Sequence, residues 1–108
     1  MNFREIIKQN FGVDLPIKSG FGSGYETAVI LQPDLNLNHY TTTELAYLKY
    51  MGLLRNIKWE IISQSIQIYE DKTFDVMKIE TIENKDSKQT ICHETHYFDI
   101  TGCLKTAI

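Results

Sequence analysis

The densest run of chemically capable side chains is Cys92-His93-Glu94-Thr95-His96, which offers a thiol, a carboxylate and two imidazoles. Zinc metalloprotease chemistry needs His-Glu-x-x-His on a helix, so that both rings fall on one face. Here the spacing is His-Glu-x-His and the surroundings read as strand. On a strand Cys92, Glu94 and His96 share one face and His93 points to the other. That face suits a metal held by thiolate, carboxylate and imidazole, or proton transfer by a Glu/His pair. It equally suits a solvated strand on which Glu94 and His96 are cross-strand partners of Lys78 or Lys58. A zinc site wants a further ligand, and His39 is the only spare histidine. With the spacing wrong, no tightly bound metal and no cofactor are expected. No Ser/His/Asp signature or glycine elbow supports nucleophilic hydrolysis.

The second chemical signal is charge. Residues 57–83 carry Lys58, Lys72 and Lys78 against Glu60, Glu70, Asp71, Asp75, Glu80 and Glu83, an acidic excess equal to the whole net charge of −3. Carboxylates gathered on one hairpin suit a basic protein partner, whereas a nucleic-acid binder clusters the opposite sign. The glycines of Gly20-Phe21-Gly22-Ser23-Gly24 invite a third reading, a phosphate cradle. A Walker loop needs Gly-Lys-Ser/Thr before a helix, and the dinucleotide fingerprint needs a different spacing. A hairpin loop in which glycine supplies positive φ is the plainer account, and a backbone N–H nest for an anion is the other.

The elements that must position these groups follow from periodicity. Residues 2–11 read as a short amphipathic helix with Asn2 as cap, Glu5 as its partner, and a stripe of Phe3, Ile6, Ile7 and Phe11 that Gly12 ends. A connection with Pro16 leads to strands at 17–19 and 25–32, and residues 32–40 form a polar link. Residues 41–56 read as a second helix, with a Thr41/Glu44 capping box and a narrow polar stripe of Glu44, Lys49 and Arg55. A helix this apolar, with Leu45, Tyr47, Leu48, Tyr50, Met51 and Leu53, must be buried over most of its surface. Gly52 is a place where it could end one turn early.

Residues 57–70 hold the only Trp and five Ile, and read as the long strand around which the fold is organised. Their apolar phase slips at Ile61-Ile62, and that of the next strand, 73–83, slips at Val76-Met77. A bulge at each slip restores one apolar face and curves the sheet. A strand covered on both faces is the alternative. Turns at Asp71-Lys72 and at 84–88 pair these strands and 89–100 antiparallel.

With 108 residues, 43% hydrophobic and 23% charged, the chain is expected to form one α+β domain in the order α-β-β-α-β-β-β. It has a curved antiparallel sheet of four to five strands, with one or two helices on the concave face. The layout resembles cystatin-like and nuclear-transport-factor-like architectures. No apolar run is long enough to span a membrane. The start at Met1 without a signal pattern, and two cysteines in no metal or CxxC spacing, point to two free thiols in the cytoplasm.

The first functional expectation is a small protein-binding module of inhibitor or immunity type. It neutralises a basic partner through Glu60, Glu70, Asp71, Asp75 and Glu80. The alternative is a ligand-binding protein or enzyme whose pocket between helix and sheet uses Glu94, His96, Tyr47 and Tyr50. A homodimer closing through an uncovered strand edge is a further option.

Overall fold

The computed structural model describes residues 3–18, 20, 22–32 and 40–104. Along the chain run α1 (Phe3–Phe11), β1 (Ile17–Lys18), β2 (Val29–Leu31), α2 (Tyr40–Arg55), β3 (Lys58–Tyr69), β4 (Lys72–Lys85), β5 (Lys88–Asp99) and α3 (Thr101–Leu104). This is the expected α+β order with a short helical turn added at the end. The Asn2 cap, His39 and most of the polar link before α2 lie outside the described residues.

Two tight turns make β3, β4 and β5 an antiparallel meander. Each turn is two residues long with left-handed backbone: Glu70 and Asp71 at φ 49° and 63°, Asp86 and Ser87 at 51° and 64°. These are the signs of a type I′ turn, whose twist matches that of the flanking strands. The first turn therefore sits one residue earlier than Asp71-Lys72, and the second is shorter than the expected 84–88. The five strands lie in the order β1-β2-β5-β4-β3. The sheet is mixed, because β2 pairs parallel with β5. The chain between them contains α2, β3 and β4, ample length for the crossover that a parallel pair needs.

The hydrophobic core lies between the helices and the middle of the sheet. Ile7 of α1 and Tyr47, Leu48 and Met51 of α2 pack against Ile17, Val29, Leu31, Met77, Ile79 and Phe98. β3 stands at the edge, beyond the helices. Ile66 and Ile68 are 53% and 78% exposed, and only Trp59 and the preceding Ile57 reach the core. The strand around which the fold is expected to be organised is thus a border, and β4 and β5 hold the centre.

The slip at Ile61-Ile62 is a bulge, with the pairing to β4 shifting between Ile61 and Ser63. Trp59, Ile61, Gln64, Ile66 and Ile68 thereby share the helix-side face. The slip at Val76-Met77 is not a bulge, since β4 pairs without interruption there. Met77 and Ile79 point under the helices, while Phe74 is buried on the other face beneath Tyr25. The Tyr25 ring also stacks on Tyr69 at 4.4 Å and meets Tyr97 edge-on at 4.9 Å. Coverage on both faces, the alternative weighed for this strand, is what resolves its phase.

Helix α2 runs to within one residue of its expected end and departs from expectation at its start. It passes through Gly52 because that position is a notch for Trp59: a Cβ on Gly52 would lie 2.8 Å from Trp59 Cδ1. It starts at Tyr40, before Thr41, and neither Glu44 side-chain oxygen has a hydrogen-bond partner among the described residues, so the Glu44 arm of the expected capping box is not made. No helix among the described residues is long and apolar enough to cross a membrane.

Candidate functional site

The face of β3, β4 and β5 away from the helices is covered by Tyr25 at one end and open at the other. On the open part Glu60 lies directly opposite Glu80, and Glu80 opposite His93. The His93 Nε2 stands 3.9 Å from a Glu80 carboxylate oxygen. One pair further along, Ile82 faces Ile91, and Ile91 is 54% exposed. Like charges directly opposite on a sheet cost stability, and Lys58 and Lys78 flank the Glu60/Glu80 pair along the same face. Glu70 and Asp71 form the exposed turn at the other end of the hairpin, ten residues from Glu60 by number and so about 33 Å along the strand.

Asp75 does not belong to this surface. It is 0% exposed, on the helix side of β4, facing the equally buried Glu44 of α2. The Gln64 Nε2 donates to Asp75 Oδ2 at 2.6 Å, while Asp75 Oδ1 and both Glu44 oxygens have no hydrogen-bond partner among the described residues. Burial, reinforced by the approach of Asp75, pushes the Glu44 carboxyl up to about 10. Glu44 therefore carries its proton at neutral pH, as burial beside a second carboxyl requires. Position 44 is four and seven residues before the buried Leu48 and Met51, which puts it on the core-facing stripe. That spacing is the signal by which the sequence could have revealed it.

Glu94 and His96 point to the helix side, as the strand phase requires, and Cys92 shares that face but is exposed. The Arg55 guanidinium donates to both oxygens of Glu94, at 2.8 Å to Oε1, and His96 Nε2 stands 3.1 Å from Glu94 Oε1. The Arg55 bonds hold Glu94 below the usual carboxylate range, and burial holds His96 below the usual imidazole range. Tyr47 meets the His96 ring edge-on at 6.1 Å, and its own burial raises its phenol to about 12. Tyr50 stands apart from this group, against Phe11. The structure thus brings Glu94, His96 and Tyr47 together with Arg55, and they tie the end of α2 to β5. Tyr47 and His96 are 2% and 7% exposed, so the space between helix and sheet is filled here.

An open groove of about 230 Å³ lies elsewhere, lined by Leu53, Ile57, Lys58, Ile82 and Asn84 among others. Among the described residues no three His, Cys, Asp or Glu converge as metal ligands. In the glycine loop, the Gly22 N–H donates to Thr27 O and its carbonyl accepts from Tyr97 N–H. Gly20 and Gly22 both have positive φ, and a Cβ on Gly20 would collide with the Thr27 and Ala28 carbonyl oxygens. This loop is a backbone clasp on β5 in which the Gly22 amide is spent. No protein-family model, curated protein or solved structure matches the chain, so its geometry and chemistry carry the functional argument.

Proposed function

We propose that this is a protein-binding module that engages a basic partner through the open face of β3 and β4. Glu60 and Glu80 form the charged centre, Ile82 and Ile91 the apolar surround, and Glu70 and Asp71 a distant acidic point that steers approach. The observation that carries the reading is the Glu60/Glu80 opposition: an arrangement that weakens the isolated sheet is relieved by a lysine or arginine seated between the carboxylates. An inhibitor or immunity-type role fits such a surface, and Cys92 and Cys103, which form no disulfide among the described residues, fit the cytoplasm. The test is affinity capture from source cells with the native chain and with Glu60→Lys. A basic partner retained by the native chain, eluted by salt and lost with the variant supports the proposal. Equal capture by both, or no basic partner, sinks it.

A ligand-binding or enzymatic role for Glu94 and His96 has one observation in its favour, the buried His96 Nδ1 without a hydrogen-bond partner among the described residues.

A further inference from the structure

We infer that a second copy of this chain pairs with the β3 edge, strand to strand and antiparallel, about a two-fold axis through Gln64. β3 is the outer strand, twelve residues long, with Ile61, Ile66 and Ile68 exposed by 36%, 53% and 78%. A long apolar edge of this kind invites another strand. The two-residue turn makes Tyr69 and Lys72 a hydrogen-bonded pair. Bonding then alternates along the ladder, so the N–H and C=O groups of Gln64, Ile66 and Ile68 point outward, away from β4. They form the free half of a ladder.

The strand is complementary to itself in one register that uses its full length. With Gln64 facing Gln64 of the partner subunit and the bulged Ile62 left out of the count, Ser65 faces the partner's Ser63 and Ile66 the partner's Ile61. Gln67 then faces the partner's Glu60, Ile68 the partner's Trp59, and Tyr69 the partner's Lys58. Every pair lies on a common face, because the bulge that realigns Trp59 and Ile61 with Ile66 and Ile68 acts in both copies. On the helix side apolar residues meet apolar on both flanks of the central glutamine pair. On the open side Lys58 meets an aromatic ring, Glu60 meets an amide donor, and no like charges oppose across the junction. A two-fold perpendicular to the sheet keeps both helix layers on one side and both Glu60/Glu80 pairs on the other. The dimer would present the proposed binding face twice, with the avidity that follows.

The pairing rests on the strand edge and stands or falls separately from the basic-partner reading. Twelve residues a side is well below the roughly 20–30 of stable interfaces, so a dissociation constant on the order of micromolar is expected. Sedimentation equilibrium should show the mass rising from 12.5 kDa toward twice that value as concentration passes through this range. Ile68→Lys, at a site too exposed to matter to the monomer fold, should weaken association at least about tenfold, since it sets an unpaired charge against an apolar face. Ile66→Pro removes an outward N–H without breaking the β3–β4 ladder and should do the same. A chain that stays monomeric throughout, or a dimer that both variants leave unchanged, overturns the inference.

Discussion

At the scale of single residues, the most consequential group is Glu44. Its folded pKa lies near 10 against an ordinary 4.5, so the folded state holds a proton that the unfolded chain releases between those values. This contribution to stability is complete below about pH 4.5 and is lost as pH rises toward 10. His96 works in the opposite sense. Its pKa is lowered from 6.5, so its contribution is complete above that pH and is lost in acid. Above about pH 7 Glu44 dominates, and the melting temperature of the native protein is expected to fall steadily up to about pH 9. Glu44→Gln removes the titration and leaves an amide to donate to Asp75. It should flatten that slope and raise stability at alkaline pH by a few kcal/mol, read by thermal unfolding across a pH series. The turn offers a second residue-scale test. Glu70 and Asp71 both occupy left-handed backbone, where Asn-Gly is the favoured pair. Replacing them with Asn-Gly should stabilise the fold by about 1 kcal/mol in urea denaturation.

At the scale of elements, Gly52 and Trp59 join α2 to β3. Gly52→Ala improves helix propensity by about 1 kcal/mol, but its Cβ would press on the indole at 2.8 Å. The clash is expected to win, with a net loss of about 1–2 kcal/mol and a red shift of Trp59 fluorescence. Trp59→Ala in the same chain should turn the Gly52→Ala effect favourable, a coupling that a double-mutant cycle reads directly. The elements themselves were legible in the sequence. Both long helices, the meander and the bulge at Ile61-Ile62 follow from apolar phase, because phase is a local property. Position in the sheet is not local. An Ile-rich strand reads the same whether a helix covers it or not, which is why the stretch that reads as the organiser of the fold stands at the border of the sheet. For the same reason the slip in β4 reads as a bulge until Tyr25, nearly fifty residues earlier by number, is known to lie on its back.

At the scale of the whole molecule, sheet order decides which acidic residues are usable. The acidic excess of the hairpin is plain in the sequence, but only cross-strand register shows that Glu60 opposes Glu80, and only helix packing shows that Asp75 is buried beside Glu44. The surviving carboxylates form two separate points on an elongated body of 51 × 30 × 24 Å. If the Glu60/Glu80 pair is kept for a partner, Glu60→Lys should stabilise the free protein by about 0.2–1 kcal/mol while weakening partner binding and its salt dependence. A gain in stability joined to a loss of binding separates a functional surface from a structural one. The claim at the centre of this account is that β3 is an open edge in one copy and is closed by a second. Residue-resolved amide exchange at Gln64, Ile66 and Ile68, measured at rising protein concentration, tests it most directly. These three amides should exchange freely in dilute solution and become protected together as concentration increases. Protection that persists at the greatest dilution would show that the edge is covered within one copy, and free exchange at every concentration would show that no second copy closes it.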